Sequence, residues 1–273
     1  MSTQTTFPDL PKSGIKFPNS PIISAAFVYT KEHTTEATYN HCVRSAYWAL
    51  ILAKKLPNFA SLLSPASGEQ QQQPLLNLET VVLATVLHDM GWAVTKELLS
   101  KDKRFEVDGA DLARAFVARY AAEGGQGAEK WDDARVKTIW DAIALHTTGS
   151  IALHHPAPEV TLAYLGIMAD FTGPQFPPGN GAVISEAEYR EVAALFPLAG
   201  FGVEGIKDIM CGLCRDKPES TYDNVVSGFA LAFGVDGKGG GIKEFREAME
   251  KADPMKKLVE GLGYLEDLLK EGA

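Results

Sequence analysis

His88 and Asp89 stand side by side at the end of the apolar run ETVVLATVLHDM, residues 79–90. Burying a carboxylate and an imidazole at the end of such a segment is costly unless both find partners, and a metal ion is one such partner. Taken alone, the dipeptide reads first as a buried histidine satisfied by a neighbouring carboxylate or backbone carbonyl. Two further side chains of the same chemistry could join it: His41 near the start of an earlier candidate helix and Asp170 near the end of a later one. Imidazole nitrogens and carboxylate oxygens suit zinc, iron, manganese or nickel. Helices can project such groups inward from several directions.

A second group of residues could handle substrate and protons. Glu106, in the run FEVDGA, reads either as a general base or substrate anchor, or as a carboxylate placed at a helix N-terminus by the dipole. His146, followed by Thr147, is a polar pocket residue or a histidine at a helix C-terminus, and Thr147 is a candidate substrate contact. Trp48 and Trp92 are candidate pocket walls, although core packing is the commoner fate of such side chains. Arg44 either positions an anion or anchors a helix through an ion pair. His154 and His155 read as a solvated loop pair, and His33 has no assigned role.

The elements that must position these groups read as helices. Residues 36–56 place His41, Ser45, Trp48 and Leu52 on one face, and Pro57 stops the run. Residues 79–90 read as a central buried helix ended by Gly91. Further helices are expected over 110–122, 135–146, 159–171, 186–196, 242–251 and 255–269, whereas 205–214 is less clear. Residues 1–22 carry four prolines and read as an extended arm. Residues 64–77 read as a low-complexity loop insertion and 172–182 as a loop. Strand signals are weak, so the expected class is all-α, with one domain over 23–273 whose metal core spans about 36–171.

Composition narrows the function. A formal charge of −9 argues against a broad nucleic-acid or anionic-membrane surface. No apolar stretch is long enough to span a bilayer and no signal peptide is visible, so a cytoplasmic location is expected. The expected partner is a small-molecule substrate, and a homo-oligomer stays open. Three cysteines do not make a disulfide framework; Cys211 and Cys214 read as two buried thiols one helical turn apart. The stretch from Gly237 to Gly241 lacks the Ser or Thr of a phosphate loop and reads as a flexible turn.

The order TYNHCVRSAYW, ATVLHDMGW, AIALHTTG and GIMADFTG resembles the HD-domain superfamily over roughly residues 41–170. That resemblance implies a helical bundle with extra C-terminal helices and one metal ion held by His41, His88, Asp89 and Asp170. Glu106 stands where two-metal relatives often carry a histidine, which favours a single metal. The runs LATVLHDMGW, FEVDGA, IWDAIALHTTG and TLAYLGIMADFTG are further similar to HD-type cyanamide hydratases and their fungal-type relatives. Zinc is the metal implied, and hydration of a nitrile is the reaction. One segment departs from that pattern. The hydratases carry an aromatic residue and a histidine after a Lys–Pro, whereas Pro218 is followed here by Glu219, Ser220, Thr221 and Tyr222.

The expected activity is therefore that of a metal-dependent hydro-lyase or hydrolase acting on a small neutral nitrile or amide. Asp89 or Glu106 would move the proton, and His146 would hold the substrate. A phosphohydrolase needs cations facing the metal, for which Arg44, Lys103 and Arg104 are the candidates. A two-iron oxygenase needs a second complete ligand set. A non-catalytic binding module has no use for an activated water.

Overall fold

The computed structural model describes residues 6–63, 75–176 and 183–271. Every regular element among them is a helix, apart from one isolated antiparallel bridge between Leu10 and Ile15. The chain divides into two compact units, residues 1–202 and 203–273. The first contains α1 (Pro21–His33), α2 (Glu36–Lys55), α3 (Pro57–Ala60), α4 (Leu78–Leu87), α5 (Phe105–Ala122), α6 (Asp133–Ala144), α7 (Gly149–Ala152), α8 (Pro158–Thr172) and α9 (Glu186–Leu195). The second contains α10 (Val203–Asp216), α11 (Ser227–Phe233), α12 (Ile242–Ala252) and α13 (Pro254–Glu271).

Helix α4 is the axis of the first unit. Its apolar side chains leave it no solvent face, and residues 80–87 are all buried. The Asn77 side chain accepts the Thr80 amide at its N-terminus, supplying one of the four missing intrahelical partners. Helices α2, α6 and α8 pack around it, and α2 and α8 lie closely against each other. Thr35 caps α2 and Asp132 caps α6 in the same manner. A Ser185–Glu188 capping box starts α9.

Two boundaries differ from the sequence reading in ways that matter. Helix α4 ends at Leu87, and His88–Trp92 forms a 3-10 turn in which Asp89 has φ −97° and ψ 17°. The tighter turn swings the two polar side chains off the α-helical register. Helix α5 starts at Phe105, five residues before the expected Ala110, so Glu106 and Asp108 sit inside its first turn, where the dipole favours carboxylates. Helix α1 was not legible from the sequence at all.

The N-terminal arm is not simply extended. Pro11 to Gly14 reverse its direction, and Phe7, Leu10, Ile15 and Phe17 are buried in the core of the first unit. The Phe7 ring stacks on Phe27 at 3.5 Å between centroids, and the Tyr47 hydroxyl donates to the Pro8 carbonyl at 2.8 Å. Most of the low-complexity insertion, residues 64–74, and residues 177–182 of the later loop lie outside the described residues.

In the second unit Cys211 and Cys214 are reduced and buried, and the Cys214 thiol donates to the Val226 carbonyl. The Gly237–Gly241 turn is closed by Asp236, whose carboxylate accepts the amides of Lys238 and Gly240. Among the described residues no helix is long and apolar enough to cross a membrane.

Close approach of α2 and α8 depends on Gly166, where a Cβ would lie 2.7 Å from both the Ser45 carbonyl oxygen and the Ala49 Cβ. Backbone cannot yield there as a side chain would. Gly166→Ala is expected to destabilise the protein by about 1–3 kcal/mol, the usual cost of overpacking. Denaturant unfolding monitored by circular dichroism measures it.

Candidate metal centre

The site is built where α2, the turn after α4, and α8 meet. His41 and His88 are buried, and their Nε2 atoms lie 3.1 Å apart. The tautomer of each ring follows from its other nitrogen. His88 Nδ1 donates to the Thr85 carbonyl at 2.7 Å, and His41 Nδ1 donates to the Asp170 carboxylate at 2.7 Å. A third ring obeys the same rule, since His146 Nδ1 donates to the Ile143 carbonyl at 2.6 Å. Each neutral imidazole therefore turns an unprotonated Nε2 inward.

Asp89 faces these nitrogens. Its Oδ2 is 3.0 Å from His88 Nε2 and 3.4 Å from His41 Nε2, and its Oδ1 is 3.8 Å from His146 Nε2. Both oxygens are fully buried and neither has a hydrogen-bond partner among the described residues. An ionised carboxylate without a donor, next to two facing lone pairs, is unstable unless a proton or a cation sits among them. His41, His88 and Asp89 offer one atom each within 4.8 Å of one another, a spacing that suits a metal ion. The donor set and the unsatisfied carboxylate thus fit a divalent cation.

Without a cation, a proton takes its place. Burial opposes charge on His88, but Asp89 outweighs it and raises the His88 pKa well above the ordinary histidine value. Burial and His88 together push His146 down to about 4, so that ring is neutral near pH 7.

Asp170 does not join the converging groups. Its Oδ1 accepts from Arg44 Nε at 2.8 Å and Trp48 Nε1 at 2.7 Å. Its Oδ2 accepts from Arg44 Nη2 at 2.7 Å and from His41 Nδ1. Burial disfavours the charge, but His41 and Arg44 outweigh it and lower the Asp170 pKa to about 2. Trp48, expected at a pocket wall, is instead wholly buried, stacked on Tyr189 and spent on this carboxylate. Arg44 is likewise buried and also donates to the carbonyls of Phe196 and Pro197.

Glu106 is fully buried at the start of α5. Thr147 donates its hydroxyl to Oε1, and Arg104 Nη2 donates to the same oxygen at 2.9 Å. Burial raises its pKa, but Arg104, His146 and Thr147 outweigh that and hold it below the ordinary glutamate value. Close backbone packing brings α5 here. A Cβ on Gly109 would lie 2.6 Å from the His88 carbonyl, and one on Gly91 would collide with the Phe105 carbonyl. Trp92 is half-buried against Phe105, and its indole nitrogen is buried without a partner among the described residues.

Sequence reasoning missed two contributors and cast a third, Arg104, as a cation for phosphate. Phe201 stacks on the His41 ring at 4.1 Å and 14°. The buried Cys42 thiol lies beside His88 and helps to raise its pKa. Arg104 pairs with Glu106. Cys42 was visible as the neighbour of His41, whereas nothing near Phe201 signalled its contact. His155 Nε2 lies 3.5 Å from Asp141, so it is not wholly solvated.

These helices and this site define an all-α domain with a candidate metal centre. Residues 38–170, the segment that holds His41, His88, Asp89, Glu106, His146 and Asp170, match the family model described as HD domain. No curated protein matches the chain.

Asp89→Ala is expected to abolish stoichiometric metal binding while circular dichroism stays helical, as measured by elemental analysis of purified protein. Metal and proton compete for the same buried lone pairs. Because the His88 pKa is raised, apparent metal affinity should increase with pH below that raised value, with proton release on binding. Calorimetry in buffers of different ionisation enthalpy measures the release.

Proposed function

We propose that the protein is a metal-dependent hydratase or hydrolase acting on a small neutral substrate, such as a nitrile or an amide. The observation that carries this reading is the buried, unpartnered Asp89 carboxylate among three inward-facing imidazole nitrogens. A divalent cation bound there supplies a lowered water pKa and polarisation of an electrophile. One ion is the reading the donor set supports, with zinc expected and iron, manganese or nickel as alternatives.

The chain's own groups then divide the work. His146 is neutral near pH 7, and its Nε2 faces Asp89, so it accepts a hydrogen bond from a water or substrate atom there. Glu106 is ionised at neutral pH and electrostatically coupled to His146. It serves as the proton acceptor, with Thr147 and Arg104 orienting its carboxylate. Its depressed pKa makes it a modest base, suited to a water already acidified. Trp92 offers an unpartnered indole N–H as a substrate donor.

Neutral rather than phosphorylated substrates are favoured because the cations a phosphate would need are engaged. Arg44 is bound to Asp170, Lys103 to Asp111 and Arg104 to Glu106. The likeness to cyanamide hydratases belongs to this proposal, and the departure after Pro218 leaves the nitrile itself to be found by assay. The decisive assay compares metal-loaded protein on nitriles, amides and phosphate esters. Turnover confined to phosphate esters overturns the reading.

Glu106→Gln is expected to keep the metal and lose about 10²–10⁴-fold in turnover, the usual contribution of a general base. Steady-state kinetics on the best substrate, with metal content measured on the same samples, checks both halves.

A further inference from the structure

We propose that the apolar face of α13 is an interface with a second copy of this chain, formed by two antiparallel α13 helices. The proposal is independent of the metal reading. In the second unit α11 packs on α10 and on α12, whereas α13 packs closely on none of them. Met255, Leu258, Val259, Leu262, Leu265 and Leu269 are each more than half exposed. Gly261 and Gly263 weaken the helix further, and so short a helix is marginal in water without a surface to pack on.

The spacing of those six side chains is that of a seam between helices. Met255, Leu262 and Leu269 recur every seven residues with Leu258 and Leu265 between them, and Val259 widens the stripe. Together they offer roughly 200–450 Å² of apolar surface. A patch of that order is among the largest that an ordinary monomer leaves bare. A specific interface buries about 800 Å² on each partner, a little over half of it apolar. The stripe and its polar flanks match the small end of that class, so the pair is expected to form reversibly with rising concentration.

Charge selects the partner and its direction. Lys256, Lys257 and Lys270 balance Glu260, Glu266 and Asp267, so the polar face lacks the cationic excess that carries an amphipathic helix onto a membrane. The charges are segregated along the helix, with two lysines at its start and two adjacent carboxylates past its middle. At about 100° per residue, Lys256, Glu266 and Asp267 fall on one flank of the stripe. Antiparallel helices meet flank to like flank, so Lys256 of each copy comes against Glu266 and Asp267 of the other. A parallel pair instead sets Lys256 level with its own copy. Asp267 is already tied to Lys270 at 3.0 Å, whereas Glu266 and Lys256 make no ion pair among the described residues. The antiparallel register that places Leu262 against Leu265 of the second copy also places Leu258 against Leu269, which fills the seam to both ends. Opposed helix dipoles favour the same direction.

The test is analytical ultracentrifugation of the full chain over a wide concentration range, on wild type, Leu262→Glu/Leu265→Glu and Tyr264→Glu. Tyr264 is exposed on the face opposite the stripe and serves as the control. Wild type and Tyr264→Glu are expected to pass from monomer to dimer as concentration rises. The leucine double variant is expected to stay monomeric, with circular dichroism showing that its other helices are retained. A wild type that stays monomeric overturns the proposal, whether it floats with anionic lipid vesicles or stays free of them. A dimer that the leucine double variant leaves intact overturns it as well. Direction is read from the electron–electron distance between nitroxides on Lys256→Cys, since the native cysteines are buried away from the label. The antiparallel register separates the two labelled backbones by roughly 20–25 Å along the axis. A parallel pair brings them to about 8–10 Å. The longer distance is expected; the shorter one, or no dipolar signal at all, overturns the proposal. That measurement keeps the leucines in place, so it decides the matter even where the double variant fails to fold.

Discussion

Two unprotonated imidazole nitrogens 3.1 Å apart, beside a buried carboxylate with no donor, repel one another and cannot be left uncompensated. The rest of the first unit is arranged so that this cluster nonetheless forms. Each of the three rings gives its Nδ1 proton to an acceptor that does not move: a carbonyl three residues back for His88 and His146, and a carboxylate on a neighbouring helix for His41. Fixing the far nitrogen fixes the near one. The 3-10 turn after α4 places His88 and Asp89 toward the same point, and Gly91 and Gly109 allow α5 to approach the backbone of that turn closely enough to bring Glu106 alongside. Local helix geometry, close glycine packing and ring tautomer thus form one chain of causes. The energetic cost of the assembly is offset only when a proton or a cation enters it.

Much of this was legible in the sequence. The apolar run before His88 announced a buried helix, and burial made its terminal His–Asp pair chemically conspicuous. The starts expected for α2, α4, α6 and α9 fall within a few residues of the observed ones. What escaped had physical reasons. The 3-10 turn and the early start of α5 follow from tertiary contacts at Gly91 and Gly109, which local pattern does not encode. Helix α1 is more than half apolar without clear periodicity, and Ser20 makes no side-chain cap, so no start signal stood out. The N-terminal arm looked extended because its prolines were the strongest local signal, yet its phenylalanines decide its fate by filling the core. Trp48 and Arg44 shared a face with His41, and spacing alone could not separate a pocket wall from the carboxylate's donors.

The distribution of positive charge then constrains what the site can act on. A phosphate dianion is recognised by guanidinium or ammonium groups that meet it directly. Here the Arg44 guanidinium, beside the candidate metal site, is buried and engaged by Asp170 and two backbone carbonyls. Arg104 is shared with Glu106, and releasing it would strand a fully buried carboxylate, a change that typically costs several kcal/mol. Lys103 is held by Asp111 at the surface and is the easiest of the three to free, because exposed ion pairs contribute little. To bind phosphate tightly the site would have to unmake buried pairs that orient its own functional groups. Under the proposed function a small uncharged molecule would ask for none of this, since the Trp92 indole N–H, the neutral His146 imidazole and a cation held by His41, His88 and Asp89 would suffice to bind it.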